Sequence, residues 1–267
     1  MAWCPLAEKT ELSVCSAPCK GDRSRSGAIY AATAGPLTDR PAQRPLLPAL
    51  VIFDCDGGLI DSEIIFGRVL GRCLIAADFP VTMDEAMVLG FGKNRLTLTA
   101  EIEARFGRTL PDGFFETFRT HVDVAFAGEL TAIPGIEGLL AALPVPRCVA
   151  SNSHLDRVRH ALSITRLLPL FDPHIFSASQ VERGKPAPDL FLFAARQFDA
   201  PREHCIVVED STVGVAAAVA AGMPVVGFCG GGHCPADHAD RLITAGCSHV
   251  FAGMPDLAAF LCEAECG

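Results

Sequence analysis

The sequence predicts an α/β protein: a doubly wound, mostly parallel sheet, interrupted after its first strand by an all-helical insert. Three observations point to this. Six short apolar runs, at 50–53, 147–150, 174–176, 205–208, 225–228 and 249–251, have the length and composition of buried strands. Helical stretches separate the later runs, for example 189–197 and 213–221, the alternation that parallel strands require of their crossovers. Between Glu63 and about Ala132 the strand signals vanish and helical periodicity takes over, as in 97–106 and 114–126.

Taken in order, residues 1–47 mix Cys, Ser, Arg, Pro and Gly without apolar periodicity, and are expected to form a disordered N-terminal extension. Glu8, Glu11, Asp22 and Asp39 argue against a transit peptide there. Pro41, Pro45 and Pro48 then precede the first strong strand. Residues 48–63 and 133–267 form the expected catalytic core, and 64–132 the helical insert. A length of 267 residues accommodates either two ordinary domains or one domain carrying such an insertion.

Half of the chain is hydrophobic and one fifth is charged, which excludes disorder for its bulk. Net charge is −9; six basic residues against four acidic ones in the first 47 leave −11 for the rest. An acidic body repels phosphate backbones and anionic lipid, so neither nucleic acid nor membrane is an expected partner. Mean hydropathy of +0.33 raises the question of a membrane span. The longest uncharged run, 213–232, is mostly Ala and Gly and is broken by Gly222, Met223 and Pro224, so it reads as a helix, a turn and a strand. Twelve cysteines without a paired CxxC rhythm, in a chain too large to need disulfide staples, read as reduced thiols in a cytoplasmic protein.

Ligands of open parallel sheets bind beyond the carboxyl ends of the strands. The first strand is followed by Asp54-Cys55-Asp56-Gly57-Gly58 and the second by Ser151-Asn152-Ser153. The third leads into Arg183-Gly184-Lys185-Pro186, and the fourth into Glu209-Asp210-Ser211. Each residue taken singly has an ordinary structural reading, as a helix cap or a surface lysine. Together the fold would bring them to one edge, where four carboxylates repel one another unless a cation is present. A hard Mg²⁺ ion with oxygen ligands would relieve that repulsion and bind a phosphoryl oxygen.

In this order of motifs, DxDG, Ser, GKP and EDS, the sequence resembles the haloacid-dehalogenase-like hydrolase superfamily over about 50–260, and its insert resembles the helical cap of the β-phosphoglucomutase-like branch. The resemblance implies a Rossmann-like core acting on a small phosphorylated metabolite. Asp54 would be the nucleophile that forms an aspartyl-phosphate, and Asp56 the acid and then the base. Ser151 and the backbone of Asn152 would bind phosphoryl oxygens, and Lys185 would neutralise developing charge. Asp54, the Asp56 carbonyl and Asp210, with Glu209 in support, would hold Mg²⁺. Gly58 stands where the family commonly has Thr or Val, a departure that removes no catalytic group.

The second aspartate, Asp56, favours phosphoryl transfer over dehalogenation. Mutases of the branch carry a cap histidine ten residues after it; here that position is Phe66, and Ser62 stands where mutases carry threonine. A phosphatase acting on a sugar phosphate or a phosphorylated sugar acid is therefore expected, with a phosphosugar mutase as the alternative and a phospho-acceptor signalling domain more remote. The glycine-flanked cap loop 90–95 places Lys93 and Arg95 as candidate substrate ligands; a solvated helix start is an equal reading. Cys229, His233, Cys234 and His238 superficially resemble a zinc set but lack its spacing. Cys55 is expected to point into the core.

Overall fold

The computed structural model describes residues 29–31, 47–91, 93 and 95–262. In chain order its strands are β1 (Ile29–Ala31), β2 (Leu50–Phe53), β3 (Arg147–Ser151), β4 (Ile175–Ser177), β5 (Cys205–Glu209), β6 (Val225–Phe228) and β7 (His249–Phe251). They form one sheet of order β1-β7-β6-β5-β2-β3-β4, in which every neighbouring pair is parallel except β1 with β7. The chain runs outward from β2 to β3 and β4, then crosses back to β5 on the other side. The strand order thus reverses beside β2, which makes the carboxyl end of β2 the switch point where a crevice opens.

All four residues of β2 and all five of β5 are buried, as parallel strands covered on both faces must be. Alternate side chains enter opposite layers. Val51, Phe53, Val149 and Val208 join one apolar cluster, and Leu50, Ile52, Ala150 and Val207 the other. The second layer is closed by α8 (Asp189–Arg196), α9 (Thr212–Ala221) and α10 (His238–Ala245). The first is covered by α5 (Ile136–Ala142), α6 (Leu155–Ile164), the single turn α7 (Leu168–Phe171) and α11 (Met254–Cys262).

The helical insert consists of α1 (Glu63–Ala76), α2 (Met83–Gly90), α3 (Arg95–Phe106) and α4 (Phe114–Glu129). Its apolar faces, including Val69, Leu70, Ile102, Phe118 and Phe126, belong to the same cluster as Phe53 and Val208. An antiparallel bridge between Ile60 and Ala132 ties its entry to its exit.

One difference from the sequence reading concerns the N-terminal segment. Within the segment expected to be disordered, Ile29–Ala31 pairs antiparallel with β7, Tyr30 opposite Val250. The pairing covers an edge that would otherwise present free backbone groups. The rest of 1–46 lies outside the described residues. The run at 213–232 divides as expected into α9, a left-handed turn at Gly222 and β6. Among the described residues, no helix is long and apolar enough to cross a membrane.

Candidate active site

Register places the functional residues. Phe53, the last residue of β2, is paired with Val149 on one side and Val208 on the other, so β2, β3 and β5 end within two residues of one another. The Asp54 N–H continues the ladder by donating to Val208 O at 3.0 Å. Beyond it the chain makes a tight loop in which the Gly57 N–H bonds Ile60 O at 2.9 Å and the Leu59 N–H bonds Cys55 O at 3.0 Å. Gly57 has φ +80°, and a Cβ there would stand 1.9 Å from Asp210 Oδ2. Glycine is required by both facts.

Lys185 is the hub of the crevice. It is 3% exposed, and its ammonium donates to Asp54 Oδ1 at 2.6 Å, Glu209 Oε1 at 2.6 Å and Ala150 O at 2.8 Å. Those three acceptors use its full donor capacity. Burial alone would discharge this lysine, but Asp54 and Glu209 outweigh it and hold the ammonium above its ordinary pKa. Its backbone is fixed by Asn152. The Lys185 N–H donates to Asn152 Oδ1 at 2.8 Å, and Asn152 Nδ2 donates back to Lys185 O at 3.0 Å. The Asn152 side chain therefore fastens the lysine loop to the end of β3.

Glu209 is wholly buried, with Oε1 on Lys185 and Oε2 accepting from the Ser211 N–H and hydroxyl at 3.2 and 3.0 Å. Asp210 Oδ2 lies 3.1 Å from His233 Nε2, and the Asp210 carbonyl is 2.6 Å from His238 Nε2. Ligand atoms of Asp54, Glu209 and Asp210 all lie within 4.8 Å of one another. Burial, then the neighbouring carboxylates, push Asp54 and Asp210 well above the usual carboxylate range, against the pull of Lys185. Three close, buried oxygen donors carrying more negative charge than one ammonium neutralises are a fitting set for a hard divalent cation.

Asp56 sits in a different setting. Ser62 Oγ donates to its Oδ1 at 2.7 Å, Ser153 Oγ to its Oδ2 at 3.0 Å, and Arg157 Nη2 also bonds Oδ2. Burial would raise this carboxyl, but Arg157 and the hydroxyl hydrogen bonds hold it below its ordinary pKa. The Arg157 guanidinium lies 4.8 Å above the Phe66 ring and 5.8 Å from Phe126. Phe66 packs edge-on against Phe118 and Phe126, so the cap offers an aromatic floor at this position. Glu63, at the start of α1, is pushed up to about 8 by burial and by the Asp210 and Asp56 carboxylates.

A cavity of about 90 Å³ lies between cap and core, lined by Asp54, Asp56, Ser151, Asn152, Lys185 and Asp210, with Glu63, Lys93, Ser153 and Arg157 among the others. Ser151 is buried, and its hydroxyl accepts from the Ser153 N–H at 3.1 Å, which leaves its own proton available to a ligand. Lys93 faces this cavity and pairs with Glu101 at 2.5 Å. Arg95 does not line it: its guanidinium lies 4.5 Å over the Phe115 ring and 3.9 Å from Glu116, and its side chain is 65% exposed. Of the two loop cations, only Lys93 reaches the crevice, because Arg95 already belongs to α3 and points along the cap surface.

Sequence reasoning gave no role to Arg157, Glu63 or Ser153. No sequence signal singled out Arg157: Ser153 precedes α6, so the four-residue spacing between them marks no shared helix face. The cysteines and histidines of 229–238 do not gather around an ion site, since both imidazoles turn to Asp210 instead. Cys55 is 1% exposed in the core, as expected, and burial keeps its thiol well above its ordinary pKa.

A capped α/β fold with a buried lysine between an aspartate and an acidic pair at the switch point defines a phosphoryl-transfer enzyme. The chain belongs to the haloacid dehalogenase-like hydrolases, whose family model matches residues 48–222. It is 34% identical over 186 residues to a 6-phosphogluconate phosphatase of Escherichia coli, covering 68% of this chain and 83% of that one. Hexitol phosphatase A of the same organism is 30% identical over 182 residues, covering 66% and 80%. Among solved structures, a haloacid dehalogenase-like protein of Agrobacterium tumefaciens superposes with a TM-score of 0.72 at 38% identity, over 79% of this chain and 96% of that one. Within its family the chain is a phosphoric monoester hydrolase.

Proposed function

We propose that the enzyme hydrolyses a small sugar phosphate or phosphorylated sugar acid, with Mg²⁺ as cofactor and an aspartyl-phosphate on Asp54 as intermediate. The observation that carries this reading is the Asp54 carboxylate, held at 2.6 Å by Lys185 inside a cluster of carboxylates. The names of the two E. coli relatives support the substrate class. Asp54, Glu209 and Asp210 would hold the cation, together with the backbone carbonyl of Asp56. When bound, Mg²⁺ would offset the clustered negative charge and draw electron density from the phosphoryl group.

Asp54 attacks phosphorus while the ester P–O bond breaks, and the leaving oxygen takes a proton from Asp56. Water then attacks the phosphorus of the intermediate, Asp56 takes its proton, and phosphate departs from a restored Asp54 carboxylate. Ser151 and the Asn152 backbone bind the phosphoryl oxygens throughout, while Lys185 orients Asp54 and neutralises developing charge. Held by Arg157, Asp56 is ionised and suited to the second step; for the first it exchanges that contact for the leaving oxygen, and a buried carboxyl freed of its cation gains proton affinity. Phe66 carries no acid or base at the cap position, which favours water over a sugar hydroxyl as acceptor.

The test is p-nitrophenyl phosphate turnover with Mg²⁺ and with chelator, followed by a panel of sugar phosphates and sugar-acid phosphates. Mg²⁺-dependent turnover is expected, falling to background in Asp54→Asn. No Mg²⁺-dependent turnover of any compound, or full activity in Asp54→Asn, would sink the reading.

A further inference from the structure

Two features that the proposed chemistry leaves unused meet in the structure: the cap loop after α2 and the glycine- and histidine-rich loop after β6. Phe91, the first residue beyond α2, lays its ring on His233 with centroids 4.9 Å apart and meets His238 edge-on at 5.4 Å. The two imidazoles hold Asp210 from two sides, His233 through the carboxylate at 3.1 Å and His238 through the backbone carbonyl at 2.6 Å. Both partners are acceptors, so each Nε2 carries the proton and each Nδ1 is a lone acceptor. Neither Nδ1 has a hydrogen-bond partner. His233 Nε2 also lies 3.3 Å from Cys234 Sγ; otherwise the rings are held by Asp210 and by what packs on their faces.

The local backbone is built around this arrangement. A Cβ on Gly231 would stand 2.4 Å from His233 Cε1, and one on Gly57 would stand 3.0 Å from the same atom. The His233 side chain is 2% exposed and that of Asp210 is 3% exposed. Partners that orient a metal-binding side chain tune metal affinity although they never touch the ion.

We propose that Phe91, His233 and His238 are positioning residues through which the docked cap sets the grip of Asp210 on the cation. Phe91 is the cap's part of this assembly: it keeps the imidazoles in the place from which they fix the Asp210 carboxylate. A substrate that holds the cap on the core therefore tightens cation binding, and the cation in turn favours the docked cap, since the coupling is reciprocal. The inference rests on the Mg²⁺ site proposed above.

The test is calorimetric titration of chelator-cleaned protein with Mg²⁺, without substrate. His233→Leu is expected to weaken binding about tenfold or more, with His233→Gln, which keeps an N–H donor, closer to wild type. Phe91→Ala is expected to weaken binding several-fold, and Phe91→Trp to recover most of it. Phe115→Ala, which removes a cap ring packed on Phe118 beneath the Arg95 guanidinium, is expected to leave the affinity unchanged. Phe91→Leu keeps the apolar volume without the ring and serves if the alanine variant fails to fold. Wild-type affinity in both Phe91→Ala and Phe91→Leu, or an equal loss in Phe115→Ala, overturns the coupling while leaving the cation site intact. A wild type that binds no Mg²⁺ overturns the cation site itself.

Discussion

Asp56 and Arg157 show how much of the chemistry turns on a single contact. The guanidinium keeps Asp56 ionised despite burial, and the Phe66 ring beneath it fixes its plane. Arg157→Leu is expected to lower kcat by about 10- to 100-fold, at or below the lower end of what a positioned acid–base group contributes, because Asp56 itself remains. It should also move to higher pH the acidic limb of the kcat profile, where hydrolysis of the aspartyl-phosphate needs the Asp56 carboxylate as base. The sign follows from the cause: with Arg157 gone, burial dominates and the Asp56 pKa rises, so the carboxylate is lost at a higher pH than in wild type. A pH–rate profile of the variant checks this; an unmoved acidic limb contradicts it. The placement of Asp54, Asp56, Ser151, Glu209 and Asp210 at one sheet edge was legible in the sequence because each lies at or just beyond a strand end, and that of Lys185, eight residues past β4, because it follows in a recognisable order of motifs. That of Arg157 was not. The same helix carries Arg159, which bonds exposed Asp172 at 2.7 Å, and two arginines two positions apart look alike until the tertiary structure assigns one to the crevice and the other to solvent.

At the level of elements, the sequence located the strands closely, and its errors are instructive. Three strands, β3, β4 and β5, end one residue later than expected, so Ser151 and Glu209 end β3 and β5 rather than following them. Their backbones are held in the sheet opposite Ser177 and Gly227, pairings that apolar patterning cannot show for polar side chains. The cap loop allowed two readings with equal force, and each describes one residue: Lys93 faces the crevice while Arg95 begins a solvated helix. The glycine pair of the first loop also separates. Gly57 is required by its left-handed φ and by Asp210, whereas a Cβ on Gly58 would meet only the Asp54 carbonyl, at 3.1 Å. Gly57→Ala should therefore destabilise by about 2–4 kcal/mol, combining backbone strain with overpacking. That is a fall of roughly 5–15 °C in Tm for a chain of this size. Gly58→Ala should stay within about 3 °C of wild type, as measured by thermal denaturation of both variants under one buffer. Similar losses in the two would show that Gly57 is not held as described.

For the whole molecule, what the sequence allowed as two domains is one sheet with two apolar layers, one of which continues into the insert. Cap and core thus share apolar packing, and the cost of the active site is borne by that common fold. Its carboxylates are buried together, and the raised pKa values of Glu63, Asp54 and Asp210 make part of the stability depend on pH. Glu63 rises from 4.5 to about 8, and Asp54 and Asp210 shift in the same direction. A carboxyl with a folded pKa above its unfolded value binds more protons in the folded state. Its stabilising contribution is complete below the unfolded pKa and is lost as pH rises through the folded one. For Glu63 the loss falls between about pH 4.5 and 8, and amounts to at most about 5 kcal/mol. Metal-free protein should therefore lose Tm across this window, and Glu63→Gln should flatten part of the decline. Mg²⁺ competes with those protons for the same cluster, so its stabilisation, about 2.7 kcal/mol at 100 times its Kd, should grow from pH 5 to pH 8. Thermal denaturation in chelator and in Mg²⁺ at each pH decides the matter. A metal-free Tm that climbs through the window, or a Mg²⁺ shift larger at pH 5 than at pH 8, would mean that the buried carboxylates are ionised without a cation to hold them.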